Sequence, residues 1–487
     1  MAWLAGLIAM ICFATVVYLN QASTASSSTQ KAAKAVSTHE TVDISDPMTL
    51  ASKMVVKLAH LFESKDKASR EMWLQQAQSP VTDPTKRPEI ERVREAIVHA
   101  EILKGEDGVK EAERLFQEME KEFADRPDRL ARKLEEDEEA RIQAAKFDIA
   151  GLRQIYAGEK NSLSEEQRQR LIDRHGWFAK VAMTYGLPDQ DAERAKLLAG
   201  GGALIGGIVL IAAAGLAATM GGVGCSIAMV VLIATGKIRR RFVAPAPGGS
   251  MGWEMLAVFL LAFLGFKFAA SLLSVVVSNA GATPSWFAYV VLGGQWMVAL
   301  AIFFPMLRGV PFAHYRKLVG WTAERGLFRE IGAGIFGYLA GLPIVFGALM
   351  FSLLLNFLLH FWSGKDVEPP ENPILEIAGR GDTILLVLLF TLATIWAPIV
   401  EETVFRGGVF RAMRAHMGFV LAAIASAFVF GFMHGYPVQL LGPVIAIGFV
   451  FALIREWRGS IVGPMVAHFL NNATILAIVF LILNAAG

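Results

Sequence analysis

Six polar side chains interrupt the apolar runs in the last part of this sequence: Glu401, Glu402, Arg406, His434, His468 and Asn472. The runs are apolar enough to lie in a membrane, where ionisable groups are costly and mark a functional site by default. A glutamate can take a proton from water, and a nearby histidine can share that work or hold the water. The residue types therefore predict hydrolytic chemistry inside a membrane.

Spacing adds a second part to this chemistry. His468 and Asn472 are four residues apart and so share one face of a helix. Their side chains offer N–H donors, and two donors on one face suit the oxyanion that forms at a scissile carbonyl. Arg406 follows Glu402 by four residues, which predicts an ion pair that keeps one of the two adjacent carboxylates charged.

The composition is that of a membrane protein. The chain has 487 residues, of which 54% are hydrophobic and 18% are charged, and its mean hydropathy is +0.45. This predicts an all-α fold, a polytopic α-helical membrane protein of about ten spans with an N-terminal soluble helical domain. A net charge of +2 with no basic stripe predicts no nucleic-acid partner. The two cysteines lie in apolar runs and make neither a disulfide framework nor a zinc site.

Changes in composition divide the chain into five parts. Residues 1–20 are apolar and predict a membrane anchor, with a cleaved signal as the alternative. Residues 21–41 are rich in Ser, Thr and Ala and predict a flexible linker. Charged residues with helical periodicity fill 42–196 and predict a soluble α-helical domain. Transmembrane helices are expected in 197–381, and a catalytic transmembrane core in 382–487.

Two local patterns support helices in the domain 42–196. One helical face carries four apolar residues: Ala112, Leu115, Phe116 and Met119. Ser164 and Gln167 have the spacing of a capping box at a helix start. No catalytic constellation appears in this domain, so its expected role is substrate capture, regulation or the binding of a protein partner.

Loop charges predict the orientation of the helices. The short basic segment 237–241 and the basic loop 308–329 are expected in the cytoplasm, and the acidic loop 365–382 outside. The apolar stretch 197–236 is long for one span of about 20 residues, and Gly221-Gly222 predicts that it forms a hairpin. Two crossings put the helical domain in the cytoplasm, whereas one crossing puts it outside. We expect the hairpin and a cytoplasmic domain.

Simple hydropathy separates the chemical groups. It places Glu401 at the inner end of one span and His434 at the outer end of the next. They converge if the first span continues through Phe410 and the next one runs over 422–441, which puts His434 near mid-depth. His468 then lies about 12 Å of helix into the last span. We therefore expect one cavity that opens toward the cytoplasm.

Three motifs carry a resemblance to a known family: Glu-Glu-x-x-x-Arg, Phe-x-x-x-His and His-x-x-x-Asn on successive membrane helices. In this chain they read Glu401-Glu402 to Arg406, Phe430 to His434, and His468 to Asn472. In this order they resemble the CAAX protease and bacteriocin-processing family, the type II CAAX prenyl endopeptidases and their prokaryotic relatives. The resemblance covers about 382–487 and leaves the domain 42–196 outside the family pattern.

The resemblance implies intramembrane proteolysis of a membrane-associated peptide or protein. It implies that Glu401 and His434 activate water and that His468 and Asn472 form the oxyanion site. A zinc site made by Glu401, His434 and His468 is the chemical alternative. We expect no cofactor, because the sequence has no His-Glu-x-x-His pair and because Asn472 suits an oxyanion donor better than a metal ligand.

Two other classes of function compete with the protease. One is a non-enzymatic membrane scaffold or bacteriocin self-immunity protein of the same fold, against which the intact set of polar residues argues. The other is a transporter with an intramembrane relay of ionisable groups. Clustering of the polar groups near one end of the chain, without paired inverted repeats, argues against a transporter.

Overall fold

The computed structural model describes residues 5, 10–12, 15, 47–62, 67–77, 88–125, 132–279, 286–363, 382–434, 436 and 441–486. All regular secondary structure in these residues is helical, which confirms the all-α fold. The predicted anchor 1–20 lies mostly outside the described residues, and the linker 21–41 lies entirely outside them. Residue contacts divide the chain into two compact units, which are treated separately below.

The first unit is the helical domain. Its helices are Pro47–Leu61, Lys67–Ala77, Glu89–Leu103, Gly105–Asp125, Arg132–Tyr156, Glu165–His175, Trp177–Met183 and Ala192–Leu198. The predicted apolar face is confirmed, since Ala112, Phe116 and Met119 are buried in one core and Leu115 packs against it. The capping box is also confirmed: the Ser164 hydroxyl accepts from the Gln167 backbone N–H, and the Gln167 side chain accepts from the Ser164 N–H.

The membrane helices form the second unit, except for residues 201–211 and 479–486, which group with the first. They are Gly201–Ala234, Met251–Asn279, Trp286–Gln295 with its continuation to Leu307, Phe312–Val319, Leu327–Ser363, Thr383–Arg414, Phe419–Phe432, Leu441–Arg458 and Val462–Ala486. Six of the described helices are long and apolar enough to cross a membrane. Phe419–Phe432 is shorter, and Leu441–Arg458 carries three charges in its last turn. The polytopic α-helical architecture is therefore confirmed.

The predicted hairpin in 197–236 is wrong, because Gly201–Ala234 is one continuous helix. The Gly221-Gly222 pair serves close packing instead of a turn. A Cβ on Gly222 would lie 3.0 Å from the Leu339 carbonyl oxygen, so glycine lets this helix approach Leu327–Ser363. The stretch 197–236 therefore provides one candidate membrane span instead of the two that were predicted.

The helix Thr383–Arg414, named here the carboxylate helix, continues through Phe410 as the convergence of the site requires. It contains two π-helical segments, Leu392–Trp396 and Thr403–Val409, on either side of the two glutamates. The predicted span 422–441 is wrong, because its helix ends at Phe432 and the next begins at Leu441. Gly435 and Pro437 follow this helix in the sequence, and both residue types disfavour its continuation.

Glycines bring the neighbouring helices close to the carboxylate helix. A Cβ on Gly407 would lie 2.9 Å from the Cβ of Val319, and one on Gly252 would lie 2.5 Å from the Gly408 carbonyl oxygen. The second π-helical segment is therefore packed on two sides by backbone that only glycine admits.

Candidate active site

Glu402 forms the buried centre of the site. Its Oε1 accepts a hydrogen bond from Arg406 NH1 at 2.9 Å and another from His468 Nδ1 at 3.0 Å. The structure therefore contains the Glu402–Arg406 pair that the spacing predicts, and it adds a histidine from a helix 66 residues away. Because a carboxylate only accepts, Nδ1 of His468 carries the proton in this contact.

Arg406 is buried, and both of its terminal nitrogens make hydrogen bonds. Its side chain is 1% exposed and lies between the rings of Phe430 and Phe451, with Cζ 4.4 Å and 5.1 Å from the ring centres. Its second terminal nitrogen donates to the Gly448 carbonyl at 2.8 Å. The two aromatic faces and the carbonyl favour a cation at this depth, so Arg406 provides a fixed positive charge for Glu402.

Glu401 has a different environment from its neighbour. Its side chain is 18% exposed, and its Oε2 lies 3.9 Å from His468 Nε2. This oxygen is buried and makes no hydrogen bond within the described part of the chain. Glu402 Oε2 is also buried without a hydrogen bond among the described residues, so the two carboxylates differ in their remaining contacts. Glu402 Oε1 accepts from Arg406 and His468, whereas Glu401 is partly exposed and among these residues approaches only His468.

His434 packs against the ring of Phe430, as His468 does. Its ring centre is 4.7 Å from that of Phe430, whereas the ring centre of His468 is 5.9 Å from it. His434 Nδ1 lies 2.9 Å from the Phe430 carbonyl oxygen, which can only accept, so Nδ1 carries the proton and Nε2 is left with a lone pair. The structure therefore places His434 beside the cluster without direct contact to the carboxylates among the hydrogen bonds and ion pairs of the described residues.

Asn472 shares a helix face with His468, as the spacing predicts, but it makes a contact that the spacing does not predict. Its Nδ2 donates to the backbone carbonyl of Ala393 at 2.8 Å, and its Oδ1 accepts from Asn471 at 3.1 Å. An amide nitrogen has two N–H groups, so one of them remains for a substrate.

Trp321 anchors the turn that follows the glutamates. Its indole Nε1 donates to the Thr403 hydroxyl at 2.9 Å, and that hydroxyl donates to the Ile399 carbonyl at 2.6 Å. Thr403 is fully buried and begins the second π-helical segment. Such segments are frequent at functional sites, because the extra residue in the turn redirects nearby side chains.

Sequence reasoning missed three of these groups: Trp321, the Ala393 carbonyl and Phe451. Trp321 and Phe451 carry no spacing signal, because each comes from a different helix or loop. Pro398 could have indicated an unpaired carbonyl such as that of Ala393, because a proline inside a helix removes one backbone N–H donor.

The zinc alternative would place Glu401, His434 and His468 around one ion, and it stays a prediction. Glu401 and His468 approach each other, but no group of three or more His, Cys, Asp or Glu side chains in the described residues is arranged to hold a metal ion. The buried guanidinium of Arg406 beside these carboxylates also opposes a divalent cation.

The comparison with protein families places the site in a known context. Residues 383–474 match the family model described as type II CAAX prenyl endopeptidase Rce1-like. This confirms the resemblance that the three motifs predict, and all six predicted site residues lie inside the matched segment. Comparisons with curated proteins and with solved structures each gave no match. The family match supports a membrane protease of this type.

Proposed function

We propose that this protein is a glutamate-dependent intramembrane endopeptidase that cleaves a membrane-associated peptide or protein. The observation that supports this most is the asymmetry of the adjacent carboxylates. Glu402 is paired with Arg406 and hydrogen-bonded to His468, whereas Glu401 is 18% exposed and has His468 at 3.9 Å as its nearest ion-pair partner among the described residues. One carboxylate thus supports the structure, and the other is left for chemistry.

Glu401 acts as the general base in this proposal. It takes a proton from a water molecule, and the resulting hydroxide attacks the carbonyl carbon of the scissile peptide. His434 Nε2 has the lone pair needed to hold that water, because Nδ1 donates to Phe430. The proton on Glu401 then passes to the leaving nitrogen, the C–N bond breaks, and the products are a carboxylic acid and an amine.

His468 and Asn472 stabilise the tetrahedral oxyanion. Asn472 has one amide N–H left after its bond to Ala393. With Nδ1–H on Glu402, a protonated Nε2 of His468 supplies the second donor, and the positive ring then lies between two carboxylates. Donors aimed at a developing oxyanion are worth about 10²–10³ each in rate.

Cleavage of a membrane peptide by the purified protein tests the proposal. Wild-type protein should release two fragments, and Glu401→Gln should release none while it folds normally. A Glu401→Gln variant that cleaves at the wild-type rate removes Glu401 from the mechanism. Matched peptides with and without a prenyl group on the cysteine report the substrate class. A wild-type protein that cleaves neither peptide favours the non-enzymatic alternative.

We also propose that the reaction is independent of metal. The test is the metal content of active protein together with its activity after dialysis against a strong chelator. Full activity in metal-free protein supports the proposal. Activity that is lost with the chelator and returns with zinc contradicts it.

The side of the helical domain depends on the crossing at Gly201–Ala234. The cytoplasmic placement assumed a hairpin there, and a continuous helix favours a single crossing. With the basic segment 237–241 inside, one crossing leaves the domain outside. We therefore propose an outer domain, and the binding of a protein partner by it stays a proposal.

Cysteine labelling tests this topology in a background without Cys12 and Cys225. A cysteine at the exposed position Glu118 should react with an impermeant reagent in intact cells. A cysteine at Lys237, which is also exposed, should react only in opened cells. If Glu118→Cys reacts only in opened cells, the helical domain is cytoplasmic and the proposed outer location is wrong.

A further inference from the structure

The first π-helical segment of the carboxylate helix leaves the Ala393 carbonyl without a helical donor. In the first π-helical segment, the Ala397 N–H bonds to the Leu392 carbonyl five residues back. The α-helical partner of the Ala393 carbonyl is therefore engaged elsewhere. The π-helical partner of Ala393 is residue 398, which is a proline and has no N–H. An unpaired carbonyl inside a membrane protein is costly, because no water is present to replace the missing donor.

Asn472 supplies the missing donor. Its Nδ2 lies 2.8 Å from the Ala393 carbonyl oxygen, across 79 residues of sequence. The orientation of its amide is fixed by a second contact, because Asn471 donates to its Oδ1. A side chain from the helix Val462–Ala486 therefore completes the backbone bonding of the carboxylate helix.

This bond lies one helical turn from the contact of the same helix with the carboxylates. His468 and Asn472 are on one face of Val462–Ala486, and the former meets Glu402 while the latter meets Ala393. The two bonds join the same pair of helices at two separate points. One such bond allows the helices to rotate about it, whereas two restrain both their distance and their relative rotation.

We propose that Asn472 is a positioning residue as well as an oxyanion donor: it holds the carbonyl freed by Pro398 and the π-turn, and so keeps Glu401 and His468 in register. The kinetic part of this inference rests on the proposed hydrolysis. The structural part stands without it. Reactive geometry tolerates little displacement, so loss of the bond should lower kcat much more than it raises KM.

Coupling between Asn472 and Pro398 separates this role from substrate binding. In Pro398→Ala the chain regains an N–H at position 398, and either helical register then gives the Ala393 carbonyl a backbone donor. That donor is the N–H of residue 398 in a π-turn and the N–H of residue 397 in an α-turn. The Asn472→Leu substitution should therefore cost less in this background than in the wild type. The readouts are the thermal midpoint in detergent and the separate values of kcat and KM for the four proteins of the cycle.

We expect Asn472→Leu to lower both the thermal midpoint and kcat in the wild-type background. In Pro398→Ala the further loss of kcat should be at least about threefold smaller, and the drop in thermal midpoint smaller as well. Pro443→Ala is the matched control, because it restores an N–H in the helix Leu441–Arg458, and its effect should add to that of Asn472→Leu without coupling. An Asn472→Leu protein that folds only with Pro398→Ala gives the same answer, and Asn472→Ala serves as the milder second variant.

Equal losses in both backgrounds overturn the proposal, because Asn472 then acts on the substrate alone. The thermal cycle also separates this failure from failure of the proposed hydrolysis. If the wild-type protein cleaves no peptide, coupling in the thermal midpoints still supports the bond to Ala393 as the function of Asn472. Additive midpoints reject it.

Discussion

Replacing Glu402 by glutamine removes the only carboxylate that contacts Arg406 among the described residues. Both side chains are almost fully enclosed, at 1% exposure for Arg406 and 0% for Glu402. Loss of one partner of a buried pair leaves an uncompensated charge and costs about 3–5 kcal/mol in soluble proteins. At about 2 °C per kcal/mol for a large chain, Glu402→Gln should lower the thermal midpoint by at least about 6 °C.

The same change at Glu401 should have the opposite profile. Glu401 is partly exposed, and its nearest cationic partner is His468 at 3.9 Å. A pair of this kind contributes about 0–1 kcal/mol, so the thermal midpoint of Glu401→Gln should move by about 2 °C or less. Its activity should fall by about 10²–10⁴, because the amide cannot take a proton from water.

The assay is a thermal melt in detergent beside peptide cleavage at a temperature where both variants are folded. Glu402→Gln with Arg406→Met is the control, because removal of both charges should restore much of the lost stability. Equal thermal midpoints for the two single variants would refute the different roles of the carboxylates. Failure of the double variant to regain stability would show that the cost does not come from the unpaired arginine.

His468→Ala should lower kcat by about 10²–10³ with little change in KM, because an oxyanion donor acts in the transition state; a change confined to KM would make it a binding residue. Trp321→Phe should lower stability by about 0.5–1.5 kcal/mol and also lower kcat, since the Thr403 hydroxyl loses its donor, whereas Trp457→Phe should not lower kcat. Burial lowers the pKa of His175 below its usual range, so the unfolded chain binds that proton more tightly and stability should fall as pH drops below about 6.5. Thermal midpoints from pH 7.5 to 5 check this, and His175→Gln should flatten the curve.

The sequence predicts those parts of the site that depend on one helix. The i, i+4 spacing of Glu402 and Arg406 predicts their ion pair, and the spacing of His468 and Asn472 predicts their shared face. Both hold because helical periodicity alone decides which side chains are neighbours. The capping box at Ser164 is predictable for the same reason.

The sequence does not predict which of two adjacent carboxylates meets His468. Glu401 and Glu402 point about 100° apart on a helix, and the choice depends on how the helix Val462–Ala486 packs against them. The π-helical segments add to the difficulty, because each inserts a residue and rotates all that follows. The roles of Glu401 and Glu402 therefore depend on tertiary packing rather than on spacing.

The hairpin prediction was wrong because it interpreted the Gly221-Gly222 pair as a turn. A Gly-Gly pair in an apolar run is compatible with a turn and with close helix packing, and length alone favoured the turn. At Gly222 the packing against Leu339 decides the outcome. The information that resolves the ambiguity lies in a helix more than a hundred residues further along the chain.

The carboxylate helix has a π-helical segment on each side of its glutamates, and a side chain from elsewhere in the chain contacts it near each segment. The π-turn before them frees the Ala393 carbonyl, which Asn472 binds, and the π-turn after them begins at Thr403, which Trp321 binds. In a regular α-helix the Ala393 carbonyl would accept from the N–H of residue 397 and would not need Asn472. The glutamates therefore lie in a segment that two other parts of the chain contact, so we expect a change in Asn472 or Trp321 to affect Glu401 and Glu402 without touching them.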